Sequence, residues 1–81
     1  MIVRVVAFAR LRELLGFDRR ELTLGDGADL EQAWTALAQA APAIEPLRGS
    51  TRFARNGRLV DAGERLQDGD ELALLPPVGG G

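Results

Sequence analysis

The segment from Asp29 to Pro42, DLEQAWTALAQAAP, predicts the main helix of this chain and decides its fold. Asp29 and Gln32 have the spacing of a capping box, in which the carboxylate accepts a hydrogen bond from a backbone N–H and the Gln32 side chain reaches back. The apolar stripe that follows consists of Leu30, Trp34, Leu37 and Ala41. Pro42 ends the helix. An indole on this stripe is expected to anchor the core rather than to stack on a ligand.

Before this helix, the sequence predicts two strands joined by a short helical excursion. Residues 1–8, MIVRVVAF, are rich in β-branched residues and alternate between two faces. Residues 9–15 carry leucines at helical spacing, and Gly16 suits the left-handed conformation that closes a helix. Residues 20–24 alternate again. These two strands are expected to pair with each other.

After the main helix, the sequence predicts a hairpin and a last strand. Residues 52–60, RFARNGRLV, contain Asn56-Gly57, a pair that tolerates positive φ at both centres of a type I′ turn. Residues 43–51 show no clear period and have prolines at or near them, so they are interpreted as a crossing loop. Residues 71–75 form the last strand and lead directly into Pro76-Pro77.

This order of elements predicts an α+β chain of β-grasp, ubiquitin-like architecture. A mixed sheet of four or five strands would wrap over one main helix, with a short second helix. A ferredoxin-like split unit would need another long helix between Pro42 and Asp70, where the composition is that of loops. Residues 1–75 are therefore predicted to form a β-grasp domain, and residues 76–81 an extended, flexible tail.

Composition excludes most side-chain chemistry. The chain has 81 residues with neither Cys nor His, so it cannot form a Cys–His or Ser–His nucleophile or a thiolate or imidazole metal site. Its net charge of −2 argues against nucleic acid as a partner. No apolar run approaches the roughly 20 residues that span a bilayer. A cytoplasmic protein with no membrane partner is expected.

The chemistry that remains lies at the end of the chain. An ionised carboxylate at Gly81 can attack the α-phosphate of ATP held by another protein, and the resulting acyl adenylate can accept a sulfur or nitrogen nucleophile. Glycines make the end narrow, and Pro76-Pro77 favour an extended path that cannot rejoin the sheet. Residues 76–81 reach at most ~20 Å, enough to enter a partner deeply. The alternative is an incidental glycine tail.

Three runs resemble the small subunit of molybdopterin synthase, a ubiquitin-like family of sulfur carriers. They are residues 8–16 (FARLRELLG), residues 68–72 (DGDEL) and residues 76–78 (PPV) with Gly80-Gly81 at the end. The resemblance covers nearly the whole chain. Gly79, before the terminal Gly-Gly pair, departs from the family pattern.

The resemblance implies a sulfur carrier that is not catalytic alone. Gly81 would be adenylated by a ubiquitin-activating-type enzyme that uses ATP, and then converted to a thiocarboxylate. The tail that would insert into the large catalytic subunit, to donate sulfur for molybdopterin, consists of Pro76, Pro77, Val78, Gly79, Gly80 and Gly81. Family members commonly work as a heterotetramer of two small and two large subunits. Since the chain has no Cys, a separate persulfide enzyme must supply the sulfur. The chain itself is expected to bind no cofactor.

Strand alternation also predicts a partner-binding surface. If Val3, Val5, Val60, Leu72 and Leu74 face the helix, the opposite face carries Val6, Phe8, Leu59, Ala73 and Leu75. An exposed patch of Phe8, Leu59 and Leu75 favours an association surface. The alternative is that residues 43–51 cover it. Three other functions stay open: sulfur carriage for thiamin or tRNA thiolation, protein modification, and a β-grasp interaction module without covalent chemistry.

Overall fold

Five strands form one mixed sheet in the computed structural model, which describes residues 1–77. The strands are β1 (Ile2–Ala7), β2 (Arg19–Thr23), β3 (Arg52–Arg55), β4 (Arg58–Val60) and β5 (Glu71–Leu75). Their order across the sheet is β2-β1-β5-β3-β4. The central pair, β1 and β5, is parallel, and the other neighbours are antiparallel. The predicted β-grasp architecture is confirmed.

Helix α2 (Leu30–Ala40) packs its apolar stripe on one face of this sheet. The predicted capping box is present, because the Gln32 N–H donates to the Asp29 carboxylate and the Asp29 N–H donates to the Gln32 side chain, each at 2.9 Å. Trp34 is 2% exposed, and its ring meets Phe53 of β3 edge-on, with ring centroids 6.2 Å apart. The prediction that Trp34 belongs to the core is confirmed.

The short helix α1 (Ala9–Leu15) and the β3–β4 turn also form where they were predicted. Gly16 ends α1 with φ 82°. Asn56 and Gly57 have φ values of 51° and 84°, as a type I′ turn requires. The second strand is Arg19–Thr23 rather than residues 20–24, a shift of one residue at each end.

The prediction of a loop over residues 43–51 is wrong, because Pro42–Ser50 forms a 3₁₀ helix. Pro42 occupies the start of this helix, where the missing N–H of proline costs no hydrogen bond. Ile44 is fully buried, and Leu47, three residues later, packs against the core. Ile44 and Leu47 are the large apolar residues of this segment, and Pro46 lies between them, so the sequence has no recurring apolar stripe that predicts a helix here.

Polar contacts hold the 3₁₀ helix against α2 and the sheet. Trp34 Nε1 donates to the Glu45 carboxylate at 3.2 Å. The Arg48 guanidinium forms an ion pair with Glu31 of α2 and lies 4.9 Å from the centroid of the Phe53 ring. The 3₁₀ helix therefore packs on the helical side of the domain, against α2 and α1.

Candidate functional site

The chain leaves the sheet beside the end of β1. β1 and β5 are parallel, with Ala7 opposite Leu74, so both strands end at the same edge of the domain. After β5 come Pro76 and Pro77, which are exposed. Proline has no backbone N–H, so the ladder cannot continue through this pair. Residues 78–81, including the predicted reactive Gly81, lie outside the described residues, and their roles stay predictions.

The outer face of the sheet, opposite α2, carries an apolar row that crosses four strands. Val6 lies opposite Ala73, Ala73 opposite Ala54, and Ala54 opposite Leu59. Leu75 belongs to the same face of β5, two residues beyond Ala73. We call this set, with Phe8, the outer patch; it consists of Val6, Phe8, Ala54, Leu59, Ala73 and Leu75.

Exposure within the outer patch is uneven. Leu59 is 60% exposed and Phe8 is 44% exposed, whereas Leu75 is partly buried. The alternative that residues 43–51 cover the patch is wrong for Leu59 and Phe8, because both side chains are exposed. The structure therefore leaves apolar side chains open near the place where the chain exits, the arrangement expected of an association surface.

Two arginines flank the outer patch, and the sequence analysis did not single them out. Arg19 of β2 lies opposite Val6, and Arg52 of β3 lies opposite Leu75, and both are exposed. Within residues 1–77 neither takes part in an ion pair. Directly facing residues on neighbouring strands point to the same side of the sheet, so Arg19 and Arg52 lie on the outer face with Val6 and Leu75. A partner with carboxylates around an apolar centre would complement this surface.

At the other end of the outer face, one positive side chain lies between two negative ones. Arg4 of β1 lies opposite Glu21 of β2 and opposite Glu71 of β5. Opposite charges in directly facing positions are favourable across strands. The positive flank is therefore confined to the end of the sheet from which the chain exits.

A groove of about 590 Å³ lies beside β4. Two of its polar side chains are engaged in structure. The Thr51 hydroxyl donates to the Leu47 carbonyl at 2.7 Å, and Glu64 pairs with Arg55 at 3.1 Å. The groove offers mixed charges but no hydroxyl positioned beside a base, which nucleophilic catalysis needs.

Within residues 1–77 no three acidic side chains come together closely enough to hold a metal ion. The helices of the same range are all too short or too polar to cross a bilayer.

The fold defines the class of protein. A mixed β-grasp sheet over one main helix is the architecture of a ubiquitin-like protein. The chain belongs to the ThiS family, whose model matches residues 5–81.

Relatives and solved structures agree with this assignment. The chain is 37% identical to the molybdopterin synthase sulfur carrier subunit of Chlamydomonas reinhardtii over 100% of both chains. It is similar to the crystal structure of small archaeal modifier protein 1 from Haloferax volcanii, with a TM-score of 0.85, 33% identity, and coverage of 95% of this chain and 98% of that one.

A third similarity is to a protein solved with a partner. It occurs in the complex of subunits 1 and 2 of the molybdopterin-converting factor from Helicobacter pylori, with a TM-score of 0.69, 29% identity and coverage of 100% of both chains.

Proposed function

We propose that this chain is the sulfur-carrier subunit of molybdopterin synthase. The observation that carries the proposal is the full-length similarity to a sulfur carrier subunit of that enzyme, at 37% identity. The family match also runs to Gly81, so the predicted reactive end lies inside the matched region. The exposed Pro76 and Pro77 and the outer patch provide a physical basis for delivering that end to a partner.

The proposed chemistry begins at the Gly81 carboxylate. One of its oxygens attacks the α-phosphorus of ATP on an adenylating enzyme, and pyrophosphate leaves. A persulfide sulfur on a second enzyme then attacks the acyl carbon, and AMP leaves. A thiol cleaves the resulting acyl disulfide to give the Gly81 thiocarboxylate, while the sulfur of the second enzyme is left in a disulfide with that thiol.

The tail would deliver the thiocarboxylate to the partner. The segment from Pro76 to Gly81 enters the large subunit, and the thiocarboxylate sulfur passes to a molybdopterin precursor there. We place catalysis in the large subunit because this chain has no Cys and no His. The outer patch, with Phe8, Leu59 and Leu75, would bind the partner's body while the tail reaches its active site.

Deletion of Gly81 tests this proposal directly. In a reconstituted system with the large subunit, the adenylating enzyme, a sulfur donor and ATP, the shortened chain should form no molybdopterin. Its urea midpoint should stay unchanged, because the tip follows the last strand of the sheet. Gln39→Ala, at an exposed position of α2, is the matched control and should retain full transfer. Full transfer from the chain that lacks Gly81 would refute the proposal.

A second candidate is attachment to other proteins through Gly81. It is favoured by a relative named small archaeal modifier protein 1 from Haloferax volcanii, which is 37% identical and covers 91% of this chain and 94% of that protein. In that case the acyl adenylate would be attacked by an amine of a target. Isopeptide-linked peptides that carry the glycine end of this chain, identified in digests of its own cells, would support this function.

A further inference from the structure

A narrow crevice lies at the root of the tail. Its volume is about 50 Å³, and its lining includes Phe8, Leu11, Leu47, Pro76 and Pro77. Phe8 follows β1, Leu47 belongs to the 3₁₀ helix, and the two prolines follow β5. Three separate parts of the fold therefore converge on the first two residues of the tail.

The backbone on the β1 side of this crevice is strained. Ala9 has φ 53°, a conformation that side chains with a Cβ seldom adopt. Among residues 1–77, the other non-glycine residue with positive φ is Asn56, a residue type that suits its turn position. Strain of this kind persists only where the surroundings hold it in place.

The residues on either side of Ala9 show why its backbone adopts a positive φ. Phe8, before it, is extended with φ −129° and ψ 156°. Leu11, after it, is buried and fixes α1 on the core. The left-handed residue lets the chain turn directly from β1 into α1, so Phe8 stays at the edge of the sheet, beside the place where β5 runs out.

We propose that Phe8 and Leu47 are positioning residues that brace Pro76 and Pro77 from two sides, and that the left-handed backbone of Ala9 holds Phe8 in that place. Each proline has a fixed φ. Once the first two residues of the tail are braced, the direction in which the remaining residues leave the domain is restricted before any partner binds. A tail aimed in advance loses less conformational freedom on insertion.

This inference concerns the direction of the tail and does not depend on sulfur chemistry. Its test needs neither a partner nor ATP, so its failure and the failure of the proposed function are distinguishable. Because the chain has no native cysteine, two introduced cysteines can be labelled specifically. Nitroxide labels at Gln39→Cys on the exposed side of α2 and at Val78→Cys in the tail report one distance distribution by pulsed electron paramagnetic resonance.

We expect Phe8→Ala and Leu47→Ala each to widen that distribution by about two-fold, as a released chain segment samples more directions. Leu59→Ala is the matched control, since it removes the same group as Leu47→Ala from an exposed site on β4, outside the crevice lining. It should leave the width unchanged. Phe8→Leu, which keeps an apolar side chain against the prolines, should retain most of the narrow distribution.

The proposal would be overturned if the label-to-label distance distribution had the same width in the Phe8→Ala variant, the Leu59→Ala variant and the unsubstituted chain. If Leu47→Ala fails to fold, Phe8→Ala still decides, because Phe8 is 44% exposed and its removal spares the core. A urea titration of each labelled variant establishes that the domain is folded, so that a wider distribution reports the tail and not a loosened sheet.

Discussion

Asp70 accepts a hydrogen bond from the side-chain amide of Asn56 at 2.9 Å, and this bond ties the β3–β4 turn to the residue that precedes β5. The other Asp70 oxygen accepts from the Gln67 N–H at 2.7 Å and lies 3.4 Å from Arg55 Nε. The Asn56 oxygen in turn accepts from the Glu71 N–H at 2.9 Å. Asn56, whose positive φ suits the β3–β4 turn, therefore also fixes the start of β5, the strand that leads into the tail.

Asp70→Ala should lower the free energy of unfolding by about 1–3 kcal/mol, because it leaves the Asn56 side-chain amide, the Gln67 N–H and the Arg55 guanidinium without their acceptor. Urea unfolding followed by circular dichroism measures the loss. Asp18→Ala, at an exposed carboxylate, is the control and should change stability by less than about 0.5 kcal/mol. Equal effects of the two substitutions would contradict the role assigned to Asp70.

Ala9→Gly should leave stability unchanged or raise it by up to about 1 kcal/mol, since glycine adopts positive φ without strain and that gain offsets its greater freedom in the unfolded chain. Ala36→Gly, inside α2, should lower stability by about 1 kcal/mol. Thermal or urea unfolding of both variants gives the comparison. A loss for Ala9→Gly as large as that for Ala36→Gly would show that the backbone at Ala9 is not strained.

Interactions between residues close in the sequence made most of the fold predictable, whereas the 3₁₀ helix depends on packing between distant parts of the chain. Asp29 with Gln32 and Asn56 with Gly57 act through hydrogen bonds or φ preferences between residues close in the sequence, so the sequence alone locates them. Ile44 and Leu47 lie in a segment that contains Pro42 and Pro46, and its 3₁₀ helix is stabilised by packing against α1 and α2. Two apolar positions make no recurring stripe, so the sequence pattern does not reveal that packing.

The candidate site, too, was predictable only where it depends on local sequence pattern. Alternation along each strand places Phe8, Leu59 and Leu75 on the outer face, because a period of two is a local property. The crevice at the tail root was not predictable, because it joins Phe8, Leu47 and Pro76 from parts of the chain far apart in sequence. The positive flank by Arg52 likewise depends on strand register, which only the assembled sheet defines.

Leu59→Arg should raise the Kd for the large subunit by at least about ten-fold, since it places a charge in the most exposed part of an apolar contact surface. The fold should be unaffected, because Leu59 is 60% exposed. Leu75→Arg should also weaken binding, but Leu75 is partly buried and its variant needs a separate check of folding.

Isothermal titration with the large subunit measures this effect, and Gln39→Arg on α2 is the control for an added charge at an exposed site. An unchanged Kd for Leu59→Arg would remove the outer patch from the partner interface. The tail would then be left as the only proposed contact.

The most direct test of the central claim is the mass of the C-terminal peptide of the protein isolated from its own cells. The chain has no lysine and its last arginine is Arg65, so trypsin releases Leu66 to Gly81 as one peptide. Replacement of one Gly81 carboxylate oxygen by sulfur should add about 16 Da to a fraction of this peptide, and fragmentation should place the increment on the last residue. A peptide that has only the unmodified mass, from sulfur-replete cells making molybdopterin, would contradict the account.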